Sequence, residues 1–346
     1  MASREIFYRS KQWRPWLERT HRAEGAVRRA RVSLPTGEDA DKLNRQSAVL
    51  AYMDYRRRAT LFGFSAIGLW AALAVLTTAA AGIPPFQLLA LTFSLAGGLG
   101  CAWLLRPGGA GIAALRQPPG AAALTIAALA GYHALYFIAF NRAPAVEVNL
   151  VNYLWPLLIV VFAGLLPGVR VYRRQWVGTL LGLAGAALVV TRGQSFAIQP
   201  KYIAGYLAAL GAAFTWSAYS VLNRRFGAVP SSAMAGSCLA VGVLGAVIHL
   251  TSEVWVTPTP GQWAAILAMA SGPVGMAFWA WDRGTKHGDI VVLGMASYAA
   301  PLLSTGLLLI FGRARPHWTQ GAALGLLLLG AFFSARRGSD TAIAED

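Results

Sequence analysis

From residue 59 onward the chain alternates between runs of roughly 20 apolar residues and short polar connections, the run length that a helix needs to cross about 30 Å of hydrocarbon. Ten such runs are readable, near 59–80, 86–105, 120–140, 146–166, 175–192, 202–222, 232–250, 262–281, 290–311 and 318–335. They predict an all-α membrane protein with ten transmembrane helices.

The informative positions are the polar ones inside those runs. Asn149, Asn152, Tyr153 and Pro156 fall at i, i+3, i+4 and i+7 of the fourth run, so on a helix they share one face. An amide turned toward lipid without a partner costs roughly 2 to 7 kcal/mol, which predicts that this face looks into protein or water. The same spacing returns in Gly294, Ser297, Tyr298 and Pro301 of the ninth run, with the tyrosine and the proline each displaced by 145 residues. Trp70 and Trp216 lie 146 apart, and Arg142 and Arg283 lie 141 apart. The repeat divides the chain into a tail (1–58), a first five-helix half (59–192), a second five-helix half (202–335) and a short tail (336–346). Five is odd, so the second half enters the membrane upside down relative to the first. Inverted repeats of this kind hold their substrate at the interface of the halves, near the midplane.

Charge fixes the expected orientation. The chain is 56% hydrophobic and 13% charged, with mean hydropathy +0.50 and a formal net charge of +16. In a soluble protein that charge would point to nucleic acid; here 14 of the 30 Lys and Arg precede residue 59, ending in Arg56, Arg57 and Arg58. With the N-terminus inside, the tails and inner loops hold 25 basic residues and the outer loops 5, so both termini are expected in the cytoplasm. Residues 1–58 contain no apolar signal-peptide core, and Met53 offers a shorter start. Cys101 and Cys238 have neither metal-ligand nor redox spacing. A Gly-x-Ser-Gly nucleophile, paired carboxylates, a metal cluster and a mid-span lysine are all missing, so neither an enzyme nor a cofactor is expected.

The candidate chemistry is aromatic and uncharged. Tyr132 and Tyr136 are one turn apart on the third run with His133 between them, and with Tyr153 and Trp155 they can wall a flat ring. Offset or edge-on aromatic pairs add roughly 0.5 to 1.5 kcal/mol beyond burial. Trp70 and Trp216 are repeat partners, and Tyr219, Ser220 and Asn223 continue the second of these faces. Asn149, Asn152 and Ser297, beside Tyr298, offer uncharged partners for an ammonium and a carboxylate, while Pro156 and Pro301 offer bends for gating. Trp13, Trp16, Trp176, Trp255, Trp263 and Trp318 read instead as interfacial anchors. Of the ionisable residues, His133 alone lies well inside a run; Glu147, Glu253, Asp282 and Asp289 map to loops or helix ends. The expectation is therefore a facilitator or exchanger with no carboxylate relay. A zwitterionic amino acid feels no net force from the membrane potential, whereas a dication is held inside by roughly 4.6 kcal/mol at 100 mV. A proton-coupled exporter of cationic or hydrophobic drugs is the alternative, and a lipid-handling or scaffold protein a second; neither explains the duplicated polar stripes as simply.

Residues 59–335 resemble the drug/metabolite transporter superfamily of EamA type. The resemblance is carried by Gly68-Leu69-Trp70, the Pro156 and Pro301 helices, and the Trp176-x-Gly178 and Trp318-x-x-Gly321 starts of runs five and ten. Within it, Trp70, Tyr132-His133, Tyr136, Tyr153, Trp155 and Trp216 resemble the aromatic load of the YddG-type exporters of aromatic amino acids. The resemblance implies alternating access in a bacterial inner membrane, with a small-molecule substrate and the bilayer as partners; the long N-terminal tail departs from the family's usual short start.

Overall fold

A computed structural model describes residues 38–194 and 199–335. Residues 1–37 of the expected N-terminal tail, with Trp13 and Trp16, and the expected C-terminal tail 336–346 lie outside the described residues; residues 38–58 of the former are helical. Among the described residues the chain is helical without strands. The helices are α1 (Glu38–Ala71), α2 (Leu73–Ala79), α3 (Pro85–Leu105), α4 (Pro119–Arg142), α5 (Ala145–Asn152), α6 (Trp155–Gly164) and α7 (Arg173–Thr191). They are followed by α8 (Ile203–Leu222), α9 (Met234–Ser252), α10 (Pro260–Met269), α11 (Ala277–His287), α12 (Ile290–Ala296), α13 (Ala299–Ile310) and α14 (Trp318–Ala335). Proline opens α3, α4 and α10, where its missing N–H would have no intrahelical partner anyway. Thr259 and Gln262 form a capping box at α10.

Eight helical stretches among the described residues are long and apolar enough to cross a membrane: Val49–Ala79, α3, α4, Ala145–Gly164, α7, Ser231–Ser252, Pro260–His287 and Ile290–Ile310. The helix α8 has the length, but Thr215, Trp216, Ser217, Tyr219 and Ser220 dilute its hydropathy, and the apolar part of α14, Trp318–Phe333, is shorter. The stretch Pro260–His287 extends six residues past the boundary expected near 281. It joins α10 to α11 through a π-helical turn, Ala270–Met276, that contains Pro273; such turns are tolerated because neighbours take up the displaced backbone groups.

Small residues set the close helix approaches. A Cβ on Gly97 of α3 would lie 2.7 Å from the Ala235 carbonyl oxygen of α9, and one on Gly284 of α11 would lie 2.8 Å from the Cα of Gly63 on α1. The two Gly-x-x-x-Gly spacings of α7 and α14 behave differently. Gly178 and Gly182 are buried, but Gly321 and Gly325 face open space; on α14 it is Gly330 that meets α7, with a Cβ there 2.9 Å from the Gly178 carbonyl oxygen. One turn of sequence decides this, because residues 321 and 325 lie on the face of α14 turned away from α7.

The two proline stripes bend one turn earlier than their prolines suggest. The first breaks at Tyr153 and Leu154, where the Leu154 N–H bonds the Val151 carbonyl three residues back; the second breaks at Ser297 and Tyr298, where the Tyr298 N–H bonds that of Met295. Proline at residue i cannot donate to the carbonyl at i−4, so the turn before Pro156 and before Pro301 loses its α-helical bond. Pro156 and Pro301 themselves sit buried in the first turns of α6 and α13.

Candidate functional site

The helices α4 and α5 run antiparallel through a short turn, which sets two tyrosines against two asparagines. The Tyr136 hydroxyl donates to Asn149 Oδ1 at 2.6 Å, and Asn152 Nδ2 donates to the Tyr132 hydroxyl at 3.2 Å. Tyr132 and Tyr136 stack with ring centroids 5.6 Å apart, and Tyr153, at the helix break, is close enough to interact electrostatically with both. All three tyrosines and Asn149 are half-buried. Asn152 is 5% exposed, and its Oδ1 has no partner; a buried acceptor left unpaired costs about 1 to 3 kcal/mol. A substrate N–H donor would satisfy it.

Next to this layer stands a tryptophan cluster drawn from four helical stretches. Trp70 of α1 and Trp216 of α8 meet edge to face with centroids 5.6 Å apart, and Tyr132 lies 5.7 Å from Trp216, joining the two layers. Trp281 of α11 lies 5.1 Å from Trp70, 5.9 Å from Trp155 and 6.1 Å from Trp216. The polar ends of the rings are tied down: the Trp70 indole N–H donates to the Pro273 carbonyl at 3.0 Å, and that of Trp281 donates to Ser220 Oγ at 3.0 Å. Ser217 Oγ donates to the Trp155 carbonyl at 2.8 Å, fastening α8 to the start of α6. His133 Nδ1 donates to the Leu129 carbonyl oxygen at 2.7 Å, and its ring is flanked by Phe93 and Tyr132. A carbonyl only accepts, so Nδ1 carries the proton and Nε2 alone remains for other partners.

The structure thus gathers Trp70, Tyr132, His133, Tyr136, Asn149, Asn152, Tyr153, Trp155 and Trp216 into one uncharged aromatic region. Ser297 and Tyr298 do not join it. Both are fully buried, Ser297 Oγ donates to its own helix at the Leu293 carbonyl, and the Tyr298 ring fills the space left by Gly182. Asp282 also corrects the expectation: because the helix continues past 281, it is 3% exposed and pairs with Lys286 at 2.9 Å. A buried carboxylate is therefore present in a membrane-crossing stretch.

Trp281, Phe278 and Phe93 are the aromatic residues that sequence reading missed. The signal was in the repeat: the 145-residue offset that links Tyr153 to Tyr298 also pairs Tyr136 with Trp281 and His133 with Phe278. Phe278 lies 5.6 to 5.9 Å from Phe93, Trp216 and Trp70, in the same cluster.

Membrane-crossing helices around an interior region lined by aromatic rings and amides define a multi-pass membrane protein of the transporter class rather than an enzyme. The comparisons with known proteins agree. The model of the EamA-like transporter family matches residues 57–191 and again 203–336, and the chain belongs to that family. It is 46% identical to the aromatic amino acid exporter YddG of Ancylobacter novellus over 277 residues, 80% of this chain and 96% of that protein. To the YddG of Escherichia coli it is 29% identical, over 82% of this chain and 99% of that protein. A solved crystal structure 45% identical in sequence superposes with a TM-score of 0.78, covering 81% of this chain and 97% of the other.

Proposed function

We propose that the protein exports aromatic amino acids across a bacterial inner membrane by alternating access, as a facilitator or exchanger. The observation that carries this reading is the continuous layer from the Tyr132/Asn152 and Tyr136/Asn149 pairs to the Trp70–Trp216–Trp281 cluster, apolar enough for a ring and free of fixed charge. The relatives named as aromatic amino acid exporters support it. In this reading Tyr132, Tyr136, Tyr153, Trp70 and Trp216 wall the ring, Asn149 and Asn152 take the polar head, and His133 Nε2 lies within the same box. Ser297 and Tyr298 belong to the second bend rather than to the substrate.

In the same proposal α8 and α14 also cross the membrane, giving ten spans in two inverted halves with both termini cytoplasmic. The packing supports this arrangement, because α8 of the second half lies along α4 and α5, as α1 of the first half meets α11 and α12 through Gly63. Exchanging the halves maps one set of contacts onto the other. The breaks before Pro156 and Pro301 then serve as paired hinges.

The test is counterflow of labelled phenylalanine into proteoliposomes preloaded with unlabelled tryptophan, threonine, lysine or a bipyridinium dication, with no ion gradient. Uptake driven by tryptophan and not by lysine is expected. Uptake that appears only with a proton gradient would overturn the facilitator reading, and none under any condition would overturn the substrate.

A further inference from the structure

One end of the bundle is sealed by charge rather than by aromatic rings. The segment following α8 is fastened to the C-terminal part of α11: Asn223 Nδ2 donates to Asp282 Oδ1 at 2.8 Å, and Lys286 Nζ donates to the Val229 carbonyl at 3.1 Å. Arg224 donates to the Thr285 and Gly288 carbonyls at 2.6 and 3.1 Å. The same end of α11 also meets α1, with the Arg283 guanidinium 5.2 Å from the Phe62 ring and the Tyr55 and His287 rings 5.4 Å apart. Asn223, Asp282 and Lys286 are all buried, and with Gln117, Thr125 and Ser237 they line a small polar cavity at the meeting of α4, α8, α9 and α11.

Static packing does not need this arrangement, because taking an ion pair out of water costs several kcal/mol per charge, and apolar side chains of similar volume hold helices together as well or better. What the arrangement does provide is a seam that can part. Asp282 and Lys286 stand at i and i+4 of one helix, so each neutralises the other whatever the neighbouring segment does. At this pair the bonds from Asn223 and to Val229 cross the seam, and breaking them leaves neither Asp282 nor Lys286 as a bare charge; the Arg224 bonds to the Thr285 and Gly288 carbonyls part with them. The polar cavity behind the pair is already suited to water. The seam also senses the aromatic region: Trp281, adjacent to Asp282, packs on Trp70, Trp155 and Trp216, and its indole bonds Ser220, one turn before Asn223.

We propose that Asn223 and Val229, docked on the self-neutralised Asp282–Lys286 pair, form a releasable closure of this end of the bundle, and that Asn223, Asp282 and Lys286 are positioning residues of the transport cycle. The closure rests on the transporter reading above, but its own geometry is testable without transport.

The experiment uses the full chain in detergent with Cys101→Ser and Cys238→Ala, and a reporter Ser237→Cys inside the cavity, labelled by a soluble maleimide. Asn223→Asp sets a second carboxylate against Asp282 and should part the seam, raising the labelling rate about tenfold, which is a shift of one decade in the open population. Adding Asp282→Asn exchanges amide and carboxylate across the seam and should return labelling to the starting rate. In proteoliposomes, with the rate expressed per folded protein from the monodisperse fraction recovered on gel filtration, Asn223→Asp should lower the maximal counterflow rate while leaving the half-saturating tryptophan concentration within about twofold; the normalisation removes the loss of rate that a smaller folded fraction alone would give. Unchanged labelling in Asn223→Asp, or failure of the exchanged pair to restore it, overturns the closure. Should Asn223→Asp not fold, Asn223→Ala is read in the same way, with a smaller rise expected and no rise fatal. Labelling that responds as expected in a protein that moves no aromatic amino acid would leave the closure standing and remove the substrate.

Discussion

The aromatic region and the Asp282–Lys286 seam adjoin at Trp281 and Asp282 and solve opposite problems. In the first, Tyr132, Tyr136, Asn149 and Tyr153 are half-buried, neutral hydrogen bonds join Tyr136 to Asn149 and Asn152 to Tyr132, and the Asn152 Oδ1 acceptor is left over. In the second, Asn223, Asp282 and Lys286 are buried and the two charges neutralise each other across 2.9 Å, although Asp282 Oδ2 makes no hydrogen bond of regular geometry. A region that must admit a ligand keeps neutral polar groups and partial exposure. A region that must close neutralises its charges internally. The difference accounts for a carboxylate that is absent from the box and present beside it: a fixed charge among the rings would have to be desolvated whenever an aromatic ring bound, whereas a self-paired one tolerates both states.

The sharpest way to break the contrast is to strand a charge in the sealed region. Asp282→Leu leaves Lys286 buried and unpaired, which should destabilise the fold by about 3 to 5 kcal/mol, read as a large drop in the thermal midpoint of the detergent-solubilised protein. Asp282→Leu with Lys286→Met removes both charges and should recover most of that loss. If the single variant is as stable as the parent, the pair is not buried as described.

At the junction of the two regions, Trp281→Phe keeps a six-membered aromatic ring but deletes the five-membered ring and the N–H that reaches Ser220. The lost hydrogen bond and the cavity left by the smaller side chain together should cost about 2 to 4 kcal/mol, seen in the same melting assay. Pro156→Ala and Pro301→Ala address the bends. Each restores a donor for a carbonyl one turn upstream, so stability should change by less than about 1 kcal/mol while the counterflow rate falls by about tenfold if the hinge limits the cycle. Rates equal to the parent would remove the hinges from the mechanism.

The periodic signal carried the helices and the aromatic and amide residues of α1, α4, α5 and α8, because apolar run length and i, i+3, i+4, i+7 spacing are local properties of the chain. It did not carry depth. Asp282 lay one residue beyond an expected boundary, and nothing local says that a helix with a charged last turn continues into a buried seam; the Lys286 pairing at i+4 was the available clue. Ser297 and Tyr298 failed for a related reason. Their spacing copies that of Asn152 and Tyr153, but their surroundings do not, since Gly182 of a sequence-distant helix opens a slot that the Tyr298 ring fills. Repeats share a pattern, and only packing decides which copy faces the interior space.

The smallest expected change in stability falls on the residue with the largest expected effect on recognition. Asn152→Leu removes an acceptor that already lacks a partner, together with one 3.2 Å hydrogen bond to Tyr132. The apolar replacement of similar size relieves an unpaired buried oxygen while losing that bond, so the net change should be within about 1 kcal/mol. A bound ammonium would lose a charge-assisted hydrogen bond of about 1.5 to 3 kcal/mol, equivalent to about a tenfold to hundredfold weakening. Competition in the counterflow assay separates the two possible readings of the amide, whose oxygen and nitrogen are distinguished only by their hydrogen bonds. If Asn152 takes the ammonium, tryptamine competes with labelled phenylalanine in the parent and loses that ability in Asn152→Leu, while indole-3-propionate, which lacks the ammonium, is indifferent to the substitution. The reverse pattern would turn the amide round and give Asn152 the carboxylate. Equal competition by both compounds in both proteins would move head-group recognition away from Asn152 and leave the aromatic walls alone to select the substrate.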